Sequence, residues 1–396
     1  MSNTRDHLAV YWVWLNELRG LPLAAKRKLL QILGDPDKIF HATFNTVIGM
    51  LSNTYRPPCQ SSRVAERASI AERTSDTEQT SDTERGMVEK LEAVWSGRNL
   101  KCAESIMKNN SDHGIRILCA DDPQYRDIFM ADPQAPLVLY YRGKLAPRGV
   151  PVVGVIGSRA CTSYGRMVTR VVVEELVGKG QVVASGLSFG IDALAHETTL
   201  AHQGITYAFL PCGLHKAQPA AHAALMERIA DTGAVITPYA YGKDALPFRF
   251  NGRNAVLATW CDTLIVIEAR IKSGTMHTAK IALAKGNRVL AVPNSLLEPR
   301  SGCTNQLLAD GAHAYLNDRL MHELELHPLH PSTPLGVQRG EAAITKVLRE
   351  KAMTASEIVT AVRDDGVPVM ECLVEMELTD KLEFRSDGKW HLSGGL

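Results

Sequence analysis

Short segments rich in glycine, serine and threonine follow several apolar runs in the middle of the chain. Three of them are Gly157-Ser158-Arg159-Ala160, Ser185-Gly186 and Lys272-Ser273-Gly274-Thr275. Backbone N–H groups in such loops bind phosphate, and a helix that starts there turns its positive end to the same place. Arg159, Arg270 and Lys272 add basic side chains to these loops. Several loops of this kind along one edge of a sheet predict a phosphate-binding rim.

A second candidate segment combines aromatic and basic side chains. Residues 247–254 read Pro-Phe-Arg-Phe-Asn-Gly-Arg-Asn and include Phe250, Arg253 and Asn254. Aromatic rings that stack on bases, beside arginines that neutralise phosphate, are the components of a surface for single-stranded nucleic acid. The same residues also suit a capped helix start with core aromatics, so this segment alone leaves both interpretations open.

Alternating apolar runs and helical patterns must position these loops. The runs are 152–156, 182–184, 205–210, 234–236, 264–267 and 289–292, and the helical patterns are 163–178, 190–202, 217–231, 252–259, 274–285 and 302–309. Continuous Val/Ile/Leu runs separated by helices predict a parallel sheet that is buried on both faces, which is a doubly wound α/β domain. Such sheets bind ligands at the carboxyl ends of their strands. We therefore expect the loops to meet at one edge.

Known nucleotide motifs do not account for this domain. The dinucleotide fingerprint G-x-G-x-x-G and the loop G-x-x-x-x-G-K-[ST] are both absent, which disfavours hydride transfer and P-loop hydrolysis. Asp192 and His196 lie four residues apart on one predicted helix and resemble an acid–base pair. We interpret Asp192 instead as a carboxylate favoured by the helix dipole, and His196 as a side chain packed under the rim.

The flanking regions predict further domains. Helical periodicity at 1–53 and 87–113 predicts a small N-terminal helical domain, and 114–317 contains the α/β domain. Residues 54–86 contain two consecutive six-residue repeats, Thr-Ser-Asp-Thr-Glu-Gln and Thr-Ser-Asp-Thr-Glu-Arg. This segment has too few apolar residues to fold, so we expect a disordered insert. Residues 318–340 are a Pro- and His-containing linker. Residues 341–396 predict three helices and a hairpin, which fits a winged-helix module.

Composition excludes several protein classes. The 396 residues are 45% hydrophobic and carry a net charge of +1, from 44 basic and 43 acidic residues, which excludes wholesale disorder and a histone-like binder. The charge is uneven, because 151–316 has 15 basic and 11 acidic residues whereas 317–396 has 9 and 14. Eight scattered cysteines predict reduced thiols and no metal site. With no run of ~20 apolar residues and no signal-peptide pattern, we expect a cytoplasmic protein without a membrane span.

The motifs together resemble the DprA (Smf) family of DNA-processing proteins, in order and spacing, across roughly residues 115–317. The segments that carry the resemblance are Gly157-Ser158-Arg159, Ser185-Gly186, Gly190-Ile191-Asp192-Ala193 up to His196, Phe250 with Arg253-Asn254, Ser273-Gly274-Thr275 with Thr278-Ala279, and Val292-Pro293 with Gly302 and Asn305. The resemblance implies a doubly wound, mostly parallel Rossmann-like sheet. It also implies an N-terminal helical (SAM/HhH-like) domain and a C-terminal winged-helix-like domain.

The resemblance further implies a function. Members of the family bind and protect single-stranded DNA (ssDNA) and load the RecA recombinase onto it, notably in natural transformation, and form homodimers through the Rossmann-like domain. They do so as binding proteins, with no catalytic residues and no cofactor. The residues that would contact DNA, by position, are Gly157, Ser158, Arg159, Ser185, Gly186, Phe250, Arg253, Asn254, Lys272, Ser273, Gly274 and Thr275.

Four positions depart from the family pattern. Asn251 stands where proline is usual, Ala255 where a second arginine is usual, Asn294 where glycine is usual, and Arg126 where proline is common. The sequence leaves open whether these residues weaken the pocket. It also leaves two other functions open on the same fold: a nucleoside-monophosphate phosphoribohydrolase, although the loop from Ser273 lacks the second glycine and the glutamate of that group, and a nucleotide or foreign-DNA sensor.

Overall fold

The structure is a computed structural model that describes residues 2–52, 91–316, 343–349, 351–362, 369–378, 381–385 and 387–392. The chain divides into two compact units, Met1–Leu316 and Asn317–Leu396. The expected insert at 54–86 and the expected linker at 318–340 lie outside the described residues.

The first unit begins with a group of short helices. These are α1 (Ser2–Glu17), α2 (Leu23–Leu33), α3 (Pro36–His41), α4 (Phe44–Ser52), an unlabelled helical stretch at 91–96, and α5 (Lys101–Asp112). Aromatic packing holds them together, because the ring of Trp14 lies 4.9 Å from that of Phe40 and 6.0 Å from that of Trp95, centre to centre. The guanidinium of Arg98 donates to the carbonyl oxygens of Phe40 and Ala42. The more specific expectation of a SAM/HhH-like domain stays a prediction.

A nine-stranded, mostly parallel sheet follows, which confirms the predicted α/β fold class. The strands are β1 (Arg116–Cys119), β2 (Val138–Gly143), β3 (Val152–Ile156), β4 (Val182–Ser185), β5 (Thr206–Phe209), β6 (Ala234–Thr237), β7 (Thr263–Val266), β8 (Arg288–Ala291) and β9 (His313–Ala314). They lie in the order β1-β2-β6-β5-β4-β3-β7-β8-β9. Seven strands are parallel, whereas β1 and β2 pair with each other and β2 pairs with β6 in antiparallel register.

Helices cover both faces of the sheet. They are α6 (Arg126–Ala131), α7 (Ser163–Gly178), α8 (Ile191–Ala201), α9 (Ala223–Thr232), α10 (Pro247–Trp260), α11 (Gly274–Ala284) and α12 (Gly302–Ala309), with 3-10 turns at Ala220–His222 and Pro299–Ser301. Side chains alternate between two cores. Val153 and Val155 pack in one core with Val172 of α7, and Val152 and Ile156 pack in the other. A strand that is apolar on both faces therefore shows up in the sequence as an unbroken apolar run.

The order of the strands reverses at β3. Val153 of β3 pairs with Val183 of β4 on one side and with Thr263 of β7 on the other. The chain first builds the sheet outward through β4, β5 and β6, then crosses back along α10 to start β7. Loops that leave β3 and β7 consequently separate at this point and leave a crevice, which is the usual ligand position in an open α/β sheet.

The second unit has a small core of its own. Helical residues 343–348, α13 (Ala355–Val362) and α14 (Val369–Leu378) precede a hairpin of β10 (Leu382–Phe384) and β11 (Trp390–Leu392). The Glu357 carboxylate accepts from the Thr354 amide at 2.7 Å, and the Thr354 hydroxyl accepts from the Glu357 amide at 3.4 Å, which is a capping box. The winged-helix assignment of this unit stays a prediction.

The described ranges contain no helix with the length and hydrophobicity of a membrane span. The same residues hold no group of three or more His, Cys, Asp or Glu side chains that could bind a metal ion.

Candidate functional site

A cavity of about 470 Å³ opens at the point where the strand order reverses. Its walls come from the loops that follow β3, β4 and β7 and from one side of α10. Eleven of the twelve sequence-predicted site residues line it: Gly157, Ser158, Arg159, Gly186, Phe250, Arg253, Asn254, Lys272, Ser273, Gly274 and Thr275. Residues that come from four separate parts of the chain thus share one concave surface.

Ser185 is the predicted site residue that lies outside the cavity lining. Its side chain is fully buried, and its hydroxyl donates to the carbonyl oxygen of Val155 at 2.7 Å. This bond joins β4 to β3 beneath the cavity. The hydroxyl therefore holds two strands together and is not offered to a ligand.

Arg253 forms a buried cationic floor. Its side chain is only 4% exposed, and its Nη1 donates to the carbonyl oxygens of Gly186 and Phe209, the second at 2.8 Å. The ring of Phe250 lies 5.9 Å from its guanidinium carbon. Burial lowers the pKa of Arg253, and the nearby Asp192 carboxylate opposes that shift. Among the described residues, the Nε of Arg253 has no hydrogen-bond partner.

Asp192 is the carboxylate that accompanies this cation. It lines the cavity from the first turn of α8, and its Oδ2 accepts from the Ser188 amide at 3.3 Å. Burial raises the pKa of Asp192, whereas Arg253 and the bonds from Ser188 and Gly157 act in the opposite direction. The carboxylate balances the charge of Arg253 within a buried pair.

His196 does not reach the cavity. It is fully buried, and its Nδ1 lies 2.7 Å from the Thr206 hydroxyl. That hydroxyl donates to the Val183 carbonyl oxygen at 2.8 Å, so it accepts from Nδ1–H of His196. Burial lowers the pKa of His196 to about 3, and the positive charge of Arg253 contributes. The geometry therefore gives His196 a packing role and places no acid–base pair at the site.

Three basic side chains stand around the mouth of the cavity. Arg159, Arg270 and Lys272 are exposed and line it. Across the described ranges these three cations form no ion pair and no hydrogen bond with another side chain. The positive ends of α8 and α11 also lie here, because Asp192 and Gly274 in their first turns belong to the lining. The rim is thus positively charged and has unused donors for an anion.

Two glycine positions explain how the loops approach so closely. Gly190 has a φ of +78°, and a Cβ there would lie 2.5 Å from the Arg159 carbonyl oxygen. A Cβ on Gly157 would lie 2.6 Å from Cγ1 of Ile191. The loop after β3 therefore rests directly on the start of α8, and any larger residue at either position would separate them.

Glu268 is a structural residue of the site that the sequence did not single out. It is fully buried, and its two carboxylate oxygens accept from the Thr162 amide at 2.7 Å and from the Thr162 hydroxyl at 2.6 Å. Its carbonyl oxygen accepts from the Ser158 amide at 2.8 Å. Glu268 thus ties the start of the β7–α11 loop to the β3–α7 loop that carries Arg159. A charged residue at the end of an otherwise apolar run was the available signal.

The departures from the family pattern lie in different places. Asn251 lines the cavity beside Phe250, so its replacement of proline concerns the site directly. Ala255 lies on the other side of α10, where it lines a separate groove of about 350 Å³ together with Trp260. The Oδ1 of Asn294 accepts from the Ser295 amide at 2.8 Å, within the loop after β8. An arginine at position 255 would consequently start on the side of α10 that faces away from the cavity.

Comparisons with known proteins agree with the resemblance seen in the sequence. A family model described as DNA recombination-mediator protein A matches residues 116–325, just over half of the chain. Protein Smf from Synechocystis sp. is 34% identical over 245 residues, which cover 60% of this chain and 61% of that protein. DNA processing protein DprA from Streptococcus pneumoniae is 36% identical over 178 residues, covering 45% of this chain and 63% of that protein. The chain therefore matches about three fifths of the length of these relatives.

A solved structure shows the same fold. The X-ray structure of DNA processing protein A (DprA) from Streptococcus pneumoniae matches with a TM-score of 0.62 and 24% sequence identity, covering 81% of this chain and 99% of that one. At this level of identity the match establishes the architecture. The sequence-based family resemblance and the Rossmann-like fold are both confirmed.

Proposed function

Because the chain belongs to the DNA recombination-mediator protein A family, we propose that it binds single-stranded DNA in the switch-point cavity. In this proposal the protein protects the strand and loads the RecA recombinase onto it, as in DNA uptake by natural transformation. The observation that carries the proposal is the set of rim cations, Arg159, Arg270 and Lys272, around a cavity floored by Arg253. Unpaired cations at a concave rim suit a phosphate backbone.

The size of the cavity favours a single strand over a duplex. Its volume of about 470 Å³ lies within the ~300–1,000 Å³ typical of small-molecule pockets. A nucleotide unit fits such a space, whereas a double helix can only touch its mouth. Phe250 and Leu257 supply an apolar wall for a base, and the start of α11 supplies amides for a phosphate.

The carboxylates near the cavity support a binding role without chemistry on the DNA. A hydrolase needs a carboxylate or another base that is free to act on substrate. Asp192 is held beside Arg253 and by the Ser188 amide, and Glu268 is occupied by Thr162. Both acidic groups therefore already serve the architecture of the loops. The proposals of a homodimer and of a RecA contact rest on the family resemblance alone.

A binding assay with a matched variant tests the proposal. Fluorescence anisotropy would compare an oligothymidylate with a duplex of the same length, for the full chain and for Arg159→Ala. We expect clear preference for the single strand and weaker binding by the variant. A strand-exchange assay on protected ssDNA, with and without this protein, then tests whether RecA loading is accelerated. Equal affinity for both DNA forms would overturn the ssDNA assignment, and release of adenine from AMP would support the phosphoribohydrolase alternative.

A further inference from the structure

The loop between β8 and α12, residues 293–300, displays two adjacent leucines to solvent. Leu296 is 90% exposed and Leu297 is 93% exposed. The loop around them is nevertheless well held, because the Leu297 amide donates to the Ser295 hydroxyl at 3.3 Å and Glu298 accepts from Nε of Arg300 at 2.8 Å. The structure thus presents two neighbouring apolar side chains to water on a loop with defined hydrogen bonds.

This 293–300 loop adjoins the candidate DNA site on one side. The Tyr164 hydroxyl donates to the Pro293 carbonyl oxygen at 2.9 Å, and Nη1 of Arg300 donates to the Ala160 carbonyl oxygen at 3.0 Å. Ala160 follows Arg159 and is itself part of the cavity lining. Both ends of the loop are therefore fixed to the β3–α7 segment at the cavity mouth.

The segment after β7 contacts the chain that follows the 293–300 loop. The Cys303 amide donates to the Ala269 carbonyl oxygen at 2.9 Å, and a Cβ on Gly302 would lie 2.9 Å from Cγ1 of Ile271. Ile271 is 54% exposed and follows Arg270. Hydrogen bonds from Arg300 lower the pKa of Glu298, and the positive charge of Arg270 adds to this shift. Ile271 and the loop that carries the two leucines thus border the segments that carry the rim cations Arg159 and Arg270.

We infer that Leu296 and Leu297 contact the nucleobases of a DNA strand whose phosphates are held at Arg159 and Arg270. This inference rests on the proposed ssDNA-binding function and extends it from the phosphates to the bases. Aliphatic side chains contact base faces in many DNA-binding proteins, and every base offers an apolar face. The contact would therefore add affinity without adding sequence preference.

A second copy of the chain is the less suitable occupant for this surface. A standard protein interface buries ~800 Å² on each partner. Two leucines and one isoleucine supply far less apolar area. The neighbouring residues Arg270, Glu298 and Arg300 are charged, so they do not extend the apolar surface. A polyanion with apolar bases matches this mixture of cations and aliphatic groups better than an apolar protein face does.

The test separates base contacts from phosphate contacts. The full chain would be titrated against a fluorescent oligothymidylate and against an abasic oligonucleotide of equal length and charge. The variant is Leu296→Ser with Leu297→Ser, and the control is Leu283→Ser, an exposed leucine near the far end of α11. We expect the double variant to bind oligothymidylate about fivefold or more weakly. Its affinity for the abasic strand and its salt dependence should match those of the unmodified protein.

Other results would overturn the inference. Unchanged affinity of the double variant for oligothymidylate, or an equal loss on both oligonucleotides, would remove the base contact. A change in oligomeric state on sedimentation, caused by the double variant and not by Leu283→Ser, would assign the leucines to self-association. If the unmodified protein bound neither oligonucleotide, the proposed function itself would fail, which is a different result from failure of the double variant alone.

Discussion

Nη1 of Arg253 donates to the carbonyl oxygen of Gly186, and this contact leaves position 186 no room for a side chain. A Cβ there would meet the guanidinium and would also lie 2.8 Å from Oδ2 of Asp192. Glycine at 186 lets a buried cation reach the backbone of the β4–α8 loop. The floor of the cavity thus depends on the absence of a methyl group.

Gly186→Ala should therefore cost stability and DNA affinity together. Overpacking a rigid site costs about 1–3 kcal/mol, and displacement of Arg253 would also alter the cavity floor. Thermal unfolding and anisotropy with oligothymidylate measure the two effects. Gly178→Ala at the end of α7 is the matched control, because a Cβ there meets nothing within 4 Å. Equal behaviour of the two variants would contradict the role given to Gly186.

Arg159→Ala and Lys272→Ala should each weaken ssDNA binding and make it less dependent on salt. Each lost phosphate contact releases about one counterion fewer, which lowers the slope of log affinity against log salt by ~0.7 for a single strand. Binding titrations at several salt concentrations give that slope. Arg170→Ala, an exposed arginine two turns into α7, should leave it unchanged. If both rim variants kept the original slope, the rim would not be the phosphate site.

Glu268→Gln should destabilise the protein and loosen the Arg159 loop. The carboxylate accepts two bonds from Thr162, and a glutamine amide can accept only one of them and leaves a buried group mismatched. A loss of about 1–3 kcal/mol in unfolding free energy follows from that mismatch. Chemical denaturation measures it, with Glu197→Gln on the exposed side of α8 as control. A variant as stable as the control, with full DNA affinity, would refute the positioning role of Glu268.

His196 should make the protein less stable as the pH is lowered below the ordinary pKa of histidine. Burial lowers its pKa from 6.5 to about 3 in the folded protein, so between these values the unfolded chain binds the extra proton. The free energy of unfolding then decreases as pH falls, by at most about 1.4 kcal/mol per pH unit from this group. Denaturation series at pH 7 to 4 should be flatter for His196→Asn than for the exposed His277→Asn. Parallel curves would show that His196 does not titrate in this way.

The strands and most helices around the site were predictable from local pattern. Val152–Ile156 was predicted and found with the same bounds, because its side chains are apolar towards both cores. Helix α10 differed, since it begins at Pro247 and not at 252. Proline suits the first helical turn, so the aromatic and basic run at 247–254 forms the first two turns of the helix.

Long-range hydrogen bonds fix the positions of the site residues whose roles the sequence did not predict. The Ser185 hydroxyl lies under the cavity because the Val155 carbonyl oxygen is across the sheet from it, and Glu268 meets Thr162 through a similar long-range contact. Neither partner is visible from neighbours in the chain. Spacing and residue type located the loops of the site, whereas the burial of individual side chains depended on which backbone atoms faced them.

The pairing of Val153 with Thr263 also bears on the order in which the molecule assembles. Strand β3 leaves the ribosome long before β7, and one of its edges has no neighbour until β7 arrives. Parallel pairing between distant segments forms slowly, and an unpaired strand edge is a site of association with other chains. The two walls of the cavity therefore come together late in synthesis. A nascent chain that stops before β7 would have an exposed central edge and no binding site.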